Sequence, residues 1–178
     1  MVAAKRFLQS LKNSPFNYSG VRVTLYGSLA FTGKGHATDR AVILGLANFS
    51  PDTYDPLASE KAIQSITEEK FIRSDDLGDL SFDPQKDLKF DYGPPLSGHP
   101  NGIIFTGLDD RGDTLFQETY YSIGGGFVLT SDELAAGKDK DEGPEVPFPF
   151  SSAEEMLVMS KKYNLSISQM KKENELSR

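Results

Sequence analysis

The sequence predicts an α+β protein in which helices cover a sheet that is antiparallel in part. Three observations predict it. Apolar residues recur at helical spacing near the start of the chain. Farther along, they alternate with polar residues in short runs. Two of those runs flank Asp109-Asp110-Arg111-Gly112, a hairpin-turn sequence. The order is helix, strand, helix, extra helix, then three strands, with no internal repeat.

Residues 2–12 read as a helix because Ala4, Phe7, Leu8 and Leu11 fall on one face. Asn13 to Gly20 contains Pro15 and several turn formers, which makes a loop. Val21, Val23 and Leu25 alternate with Arg22, Thr24 and Tyr26, the pattern of a half-buried strand. The loop Gly27 to Gly35 leads to a second helix, from about Thr38 to Asn48. Its apolar residues wrap most of its surface, so it is predicted to be buried. Ser50 to Pro56 is a loop, and Ser59 to Arg73 reads as a more exposed helix with Ala62, Ile63 and Ile66 inward. Leu88, Phe90 and Tyr92 mark the next strand. Ile103–Leu108 and Thr114–Ser122 form the hairpin. The first domain is expected to end near residue 131, followed by an acidic, Pro-containing linker at 132–150. Ser151-Ser152-Ala153-Glu154 is a capping-box signature opening a helix to about Tyr163. Ser166-Ile167-Ser168-Gln169 opens another, so 151–178 reads as a helical connection.

Charge and composition exclude several functions. The net charge is −7 without a basic stripe, a poor match to a phosphate backbone, so nucleic acid is set aside. The longest apolar runs fall far short of the roughly 20 residues that span a bilayer, and no signal peptide is evident. The chain has no cysteine, which removes disulfides and thiolate metal sites and fits a cytoplasmic protein. His36 and His99 are its two histidines and its first candidates for proton transfer near neutral pH.

Three segments could carry chemistry. The first is Tyr26-Gly27-Ser28-Leu29-Ala30-Phe31-Thr32-Gly33-Lys34-Gly35-His36-Ala37-Thr38-Asp39. It lies between a strand and a helix, as a phosphate loop does. However, five residues separate Gly27 from Gly33, and Gly35 stands where a Walker loop needs Ser or Thr. Nucleotide binding is therefore excluded. An anion could still be held by free N–H groups and Lys34, or the glycines could serve only a tight turn. The second segment is His99-Pro100-Asn101-Gly102, for which turn formation is a sufficient reason and in which Asn101 could cap or donate to a ligand. The third is Tyr120-Tyr121-Ser122-Ile123-Gly124-Gly125-Gly126-Phe127. Its glycines fit a bulge, a cradle for a carboxylate, or a domain contact.

Together these segments, in this order and at these intervals, resemble the amino-terminal β domain of iron–sulfur-dependent L-serine dehydratases. Pro147-Phe148-Pro149-Phe150-Ser151-Ser152 and Leu165-Ser166-Ile167-Ser168 resemble that family's linker to its α domain. The family's β domain is similar to the serine-binding regulatory domain of some phosphoglycerate dehydrogenases, a two-layer sandwich with a mixed sheet. The resemblance implies conversion of L-serine to pyruvate and ammonia by β-elimination. A 4Fe–4S cluster, held by the α domain, would polarise the hydroxyl as a Lewis acid. It also implies His36 as the base, with Lys34 close by, in a homo-oligomeric enzyme. His99, Asn101, Asp39, Ser122 and Gly124–Gly126 would complete the substrate site or the domain contact.

Two departures from the family pattern bear on activity. Ala37 replaces a glycine that usually follows the histidine. The family also carries Ser-Ser-His-Thr-Val-Gly-Pro just ahead of the position of Met1, so the chain is expected to be impaired without it. A non-catalytic, serine-binding regulatory module is the competing class. The interdomain reading expects the three segments on one exposed face. It further expects the last ten or so residues to be loosely held, with Met170 and Leu176 lacking a packing surface.

Overall fold

A computed structural model of the chain describes residues 1–137 and 146–177. Helix α1 (Val2–Asn13) is followed by strand β1 (Gly20–Gly27), short helix α2 (Ser28–Thr32) and helix α3 (Thr38–Leu46). A single 3-10 turn (Pro51–Thr53) precedes α4 (Pro56–Glu69). Strands β2 (Phe71–Ser74), β3 (Gly78–Ser81), β4 (Leu88–Asp91), β5 (Asn101–Leu108), β6 (Thr114–Gly124) and β7 (Phe127–Thr130) follow, then helix α5 (Ser131–Ala135). Helices α6 (Ala153–Tyr163) and α7 (Ile167–Leu176) come last. The chain divides into two compact units, Met1–Asp139 and Lys140–Arg178.

In the first unit the sheet order is β2-β3-β1-β5-β6-β7. One edge of β1 is shared: Gly20 pairs with Ser81 of β3, and Val23–Tyr26 pair with Leu88–Asp91 of β4, both in parallel. Its other edge runs antiparallel to β5 along its whole length. The sheet is therefore mixed, in an α+β sandwich, as predicted. Alternation sends Val21, Val23 and Leu25 to one face, where none is exposed to solvent. Against them pack Ala4, Phe7 and Leu11 of α1 and Val42, Ile43 and Leu46 of α3. Phe7 anchors this layer, with its ring stacked 5.1 Å from Phe105 and 6.1 Å from Phe116. Burial of one such side chain contributes about 1.5–3 kcal/mol.

The structure corrects several boundaries. The helix expected over Ser59–Arg73 stops at Glu69, and Phe71–Ser74 is a strand. Asp55 caps the start of α4 by accepting from Ala58 N, and Pro56 occupies the first turn. The loop expected over Gly27–Gly35 contains a helical turn, α2. The start of the expected linker is helical as well. Thr130 and Glu133 form a capping box at α5, and Glu133 binds Arg6 at 2.7 Å. Residues 138–145 of that linker lie outside the described residues.

In the second unit, Ser152 caps α6 by accepting from Glu155 N, one residue later than the expected box. Ser166 and Gln169 form the reciprocal box that opens α7. Asn174 closes this unit: its Oδ1 accepts from Phe148 N at 2.9 Å, and its Nδ2 donates to Phe148 O at 2.8 Å. Met170 is fully buried, which overturns the expectation that it lacks a packing surface and that this helix is loosely held. Leu176 is exposed.

Candidate functional site

The loop carrying His36 is a chain of tight turns. Thr32 Oγ1 donates to Ser28 O at 2.7 Å, His36 N to Thr32 O at 3.1 Å, and Thr38 N to Gly33 O at 2.8 Å. These bonds leave Ala37 in the left-handed region, at φ 54° and ψ 34°, immediately before α3. His36 is exposed and borders a cleft of about 380 Å³. The start of α1, Leu29 of α2, the first turns of α3, Pro51, Ile103 and Phe105 of β5, Ser122 of β6, Gly126 of the following turn and Val128 of β7 also line it. Arg6 fixes one side by donating to Val128 O at 2.7 Å while holding Glu133 of α5.

Chemically the cleft is simple. Among the side chains lining it, His36 is the only one with an acid–base group near neutrality, and Thr38 and Ser122 offer hydroxyls. The remaining lining is mostly apolar. Such a site can accept a small molecule and offer it one imidazole and two hydroxyls.

Gly125 and Gly126 form the two-residue turn between β6 and β7, with Gly124 paired to Phe127. Both have positive φ, 59° and 84°, the requirement of a type I′ hairpin turn. The triple glycine is thus a hairpin connection, and it carries Gly126 to the mouth of the His36 cleft.

The other predicted residues are placed differently. Lys34 extends its ammonium over the Phe90 ring, 5.5 Å from its centroid, and does not line the cleft. Asp39 lies in the first turn of α3 and accepts from Arg40 N at 2.8 Å. His99 is half-buried outside the cleft, where its Nδ1 accepts from Asn101 N at 3.1 Å. Asn101 in turn donates from Nδ2 to Ser122 O at 3.1 Å, joining the second segment to the third behind the cleft wall. The first and third segments therefore meet in the cleft, and the second braces it. Sequence reading noted Thr38 within one turn of His36 without counting it as a site residue, and it missed the first turn of α1. Nothing in the local pattern signals the start of α1, because its packing on α3 brings it in.

Among the described residues, no group of three His, Cys, Asp or Glu side chains could hold a metal ion. No described helix is long and apolar enough to cross a membrane.

The model of the serine dehydratase beta chain family matches residues 1–133. Over 170 residues the chain is 36% identical to the L-serine dehydratase of Helicobacter pylori, covering 96% of this chain and 37% of that protein. It is 37% identical over 181 residues to L-serine dehydratase 2 of Escherichia coli, covering 99% and 39%. For the L-serine dehydratase of Streptomyces coelicolor the figures are 35% over 179 residues, 98% and 39%. The chain thus spans well under half the length of these relatives. With the family model matched over residues 1–133, which include every residue named in the wall of the His36 cleft, the chain belongs to the serine dehydratase beta chain family.

Proposed function

We propose that this chain supplies the β portion of an L-serine dehydratase, which converts L-serine to pyruvate and ammonia in cytoplasmic amino-acid catabolism. The observation that carries the reading is the meeting of His36, Ser122 and Gly126, from distant parts of the chain, around one small cleft. The names of the relatives support L-serine as the substrate. Their greater length supports a further domain or chain, the α portion, as the partner.

The reaction needs a base within hydrogen-bond reach of the α-proton. His36 fills that role, because it is the one imidazole on the cleft wall. Its exposure leaves the ring accessible to a substrate entering between this chain and a covering partner. Thr38 and Ser122 orient the substrate's polar groups through their hydroxyls. The apolar remainder of the wall excludes water once the cleft is covered. A 4Fe–4S cluster does not fit this chain, which has no cysteine. In this reading the cluster belongs to the α portion.

The test is a chimaera in which this chain replaces the matching segment of the Helicobacter pylori relative. Pyruvate release and L-serine binding are then measured in parallel. His36→Ala is expected to cut turnover at saturating serine by roughly a hundred- to ten-thousand-fold, with little change in binding. Near-normal turnover in that variant would make His36 structural. Serine binding with no turnover in any variant would favour the regulatory module.

A further inference from the structure

We infer that β4, which contributes nothing to the cleft wall, positions His36 through the rings of Phe90 and Tyr92. The inference rests on the reading of His36 as the working imidazole. It starts from a question of burial. Leu88 of β4 is 7% exposed, and core packing explains it. Tyr92, one residue beyond the strand, is 56% exposed, so core packing does not explain its placement. Its ring instead meets Phe31, itself 65% exposed, with centroids 5.3 Å apart and planes tilted by 59°. Paired aromatic rings at this spacing attract beyond their buried area.

Phe90 holds the same loop from below. A Cβ built on Gly33 would run into Leu29 O and lie 2.9 Å from Phe90 Cε1, so the glycine lets the backbone close on its own helical turn and also lie against that ring. The next residue, Lys34, places its ammonium over the ring, 5.5 Å from the centroid. Residues 31, 33 and 34 therefore rest on two side chains of one strand end. The chain then turns through His36 N to Thr32 O and presents His36 to the cleft. Lys34 and His36 thereby act in different directions: Lys34 ties the loop down, and His36 is what the tie holds in place. Phe31, Phe90 and Tyr92 are positioning residues.

The experiment is NMR on the 178-residue chain, comparing Tyr92→Leu, Phe31→Ser and the conservative Tyr92→Phe. Both sites are exposed, so the fold should survive, and the amides of Phe105 and Tyr120 report whether it does. Backbone order parameters at Gly35 and His36 are expected to fall from about 0.85 to below about 0.6 in the first two variants. The His36 ring signals should move toward those of a free imidazole while those of His99 stay fixed. Tyr92→Phe should keep the wild-type spectrum. Unchanged His36 signals and order in both disruptive variants would overturn the inference. So would a loop already mobile in the wild type, or loss of order in Tyr92→Phe equal to that in Tyr92→Leu. These measurements involve no serine, so they can fail or succeed separately from the proposed chemistry.

Discussion

Ala37 carries the clearest local strain next to the site. Its left-handed backbone brings Cβ toward the following carbonyl, at a cost of about 1–2 kcal/mol for a residue other than glycine. Part of any gain from glycine is offset, since glycine leaves the unfolded chain freer. Ala37→Gly is therefore expected to stabilise the protein by about 0.5–1 kcal/mol, seen as a higher urea midpoint at unchanged slope. A lower midpoint would show that the turn bonds around His36 already absorb the strain. The glycine-rich loop was legible in the sequence as a tight turn, but its left-handed angles fall on Gly27 and Ala37, while Gly33 is helical. The direction of each side chain was not legible. Lys34, His36 and Asp39 lie within six residues of one another, yet they turn to Phe90, to the cleft and to the backbone of Arg40.

At the scale of elements, the junction between α4 and β2 turns on Lys70. It ends the helix in a left-handed conformation, at φ 61°, with its N–H bonded to Ile66 O. Its carbonyl accepts from Phe82 N, and its ammonium lies 3.0 Å from Asp83 Oδ2. Asp83 Oδ1 also accepts from Gln85 N. The Lys70 bond, with help from that N–H, holds the Asp83 carboxyl below its usual pKa. A carboxylate lowered in the folded state adds stability above about pH 4, its ordinary value, and loses it as pH falls through the lower folded value. Asp83→Asn should thus be less stable than wild type at neutral pH, and the difference should vanish in acid. Urea midpoints at pH 7 and near pH 2 check this, and a gap that persists in acid would assign the loss to packing. The sequence hid this junction for a physical reason. Phe71 and Ile72 continue the apolar recurrence of α4, and a lysine gives no sign of a helix end where glycine would. Strands of four residues such as β2 and β3 also offer too few alternations to read.

At the scale of the molecule, the proposed division of labour has a direct test. The isolated chain, reconstituted anaerobically with iron and sulfide, should bind no stoichiometric iron and release no pyruvate from serine. It has no cysteine to hold a cluster. Iron binding accompanied by turnover would refute the division. The sequence already displayed α1, α3, α6 and α7, the long hairpin and the opening box of α7, because each is encoded within a few neighbouring residues, but it read α2 and α5 as loop and linker. It did not display which strands flank β1, because that pairing joins distant segments. The shared edge of β1 sets a timetable for the nascent chain. Both β3 and β4 lie downstream, and β5 is complete only about 80 residues after β1 ends. At roughly 5–20 residues per second, synthesis of that interval takes on the order of 4–16 s. For the first part of it, until β3 and β4 are complete 54 and 64 residues after β1 ends, a strand bearing Val21, Val23 and Leu25 has no lateral partner. The central strand of the finished sheet is thus made well before its partners, and α1, synthesised ahead of it, is the element at hand to cover its apolar face in the meantime.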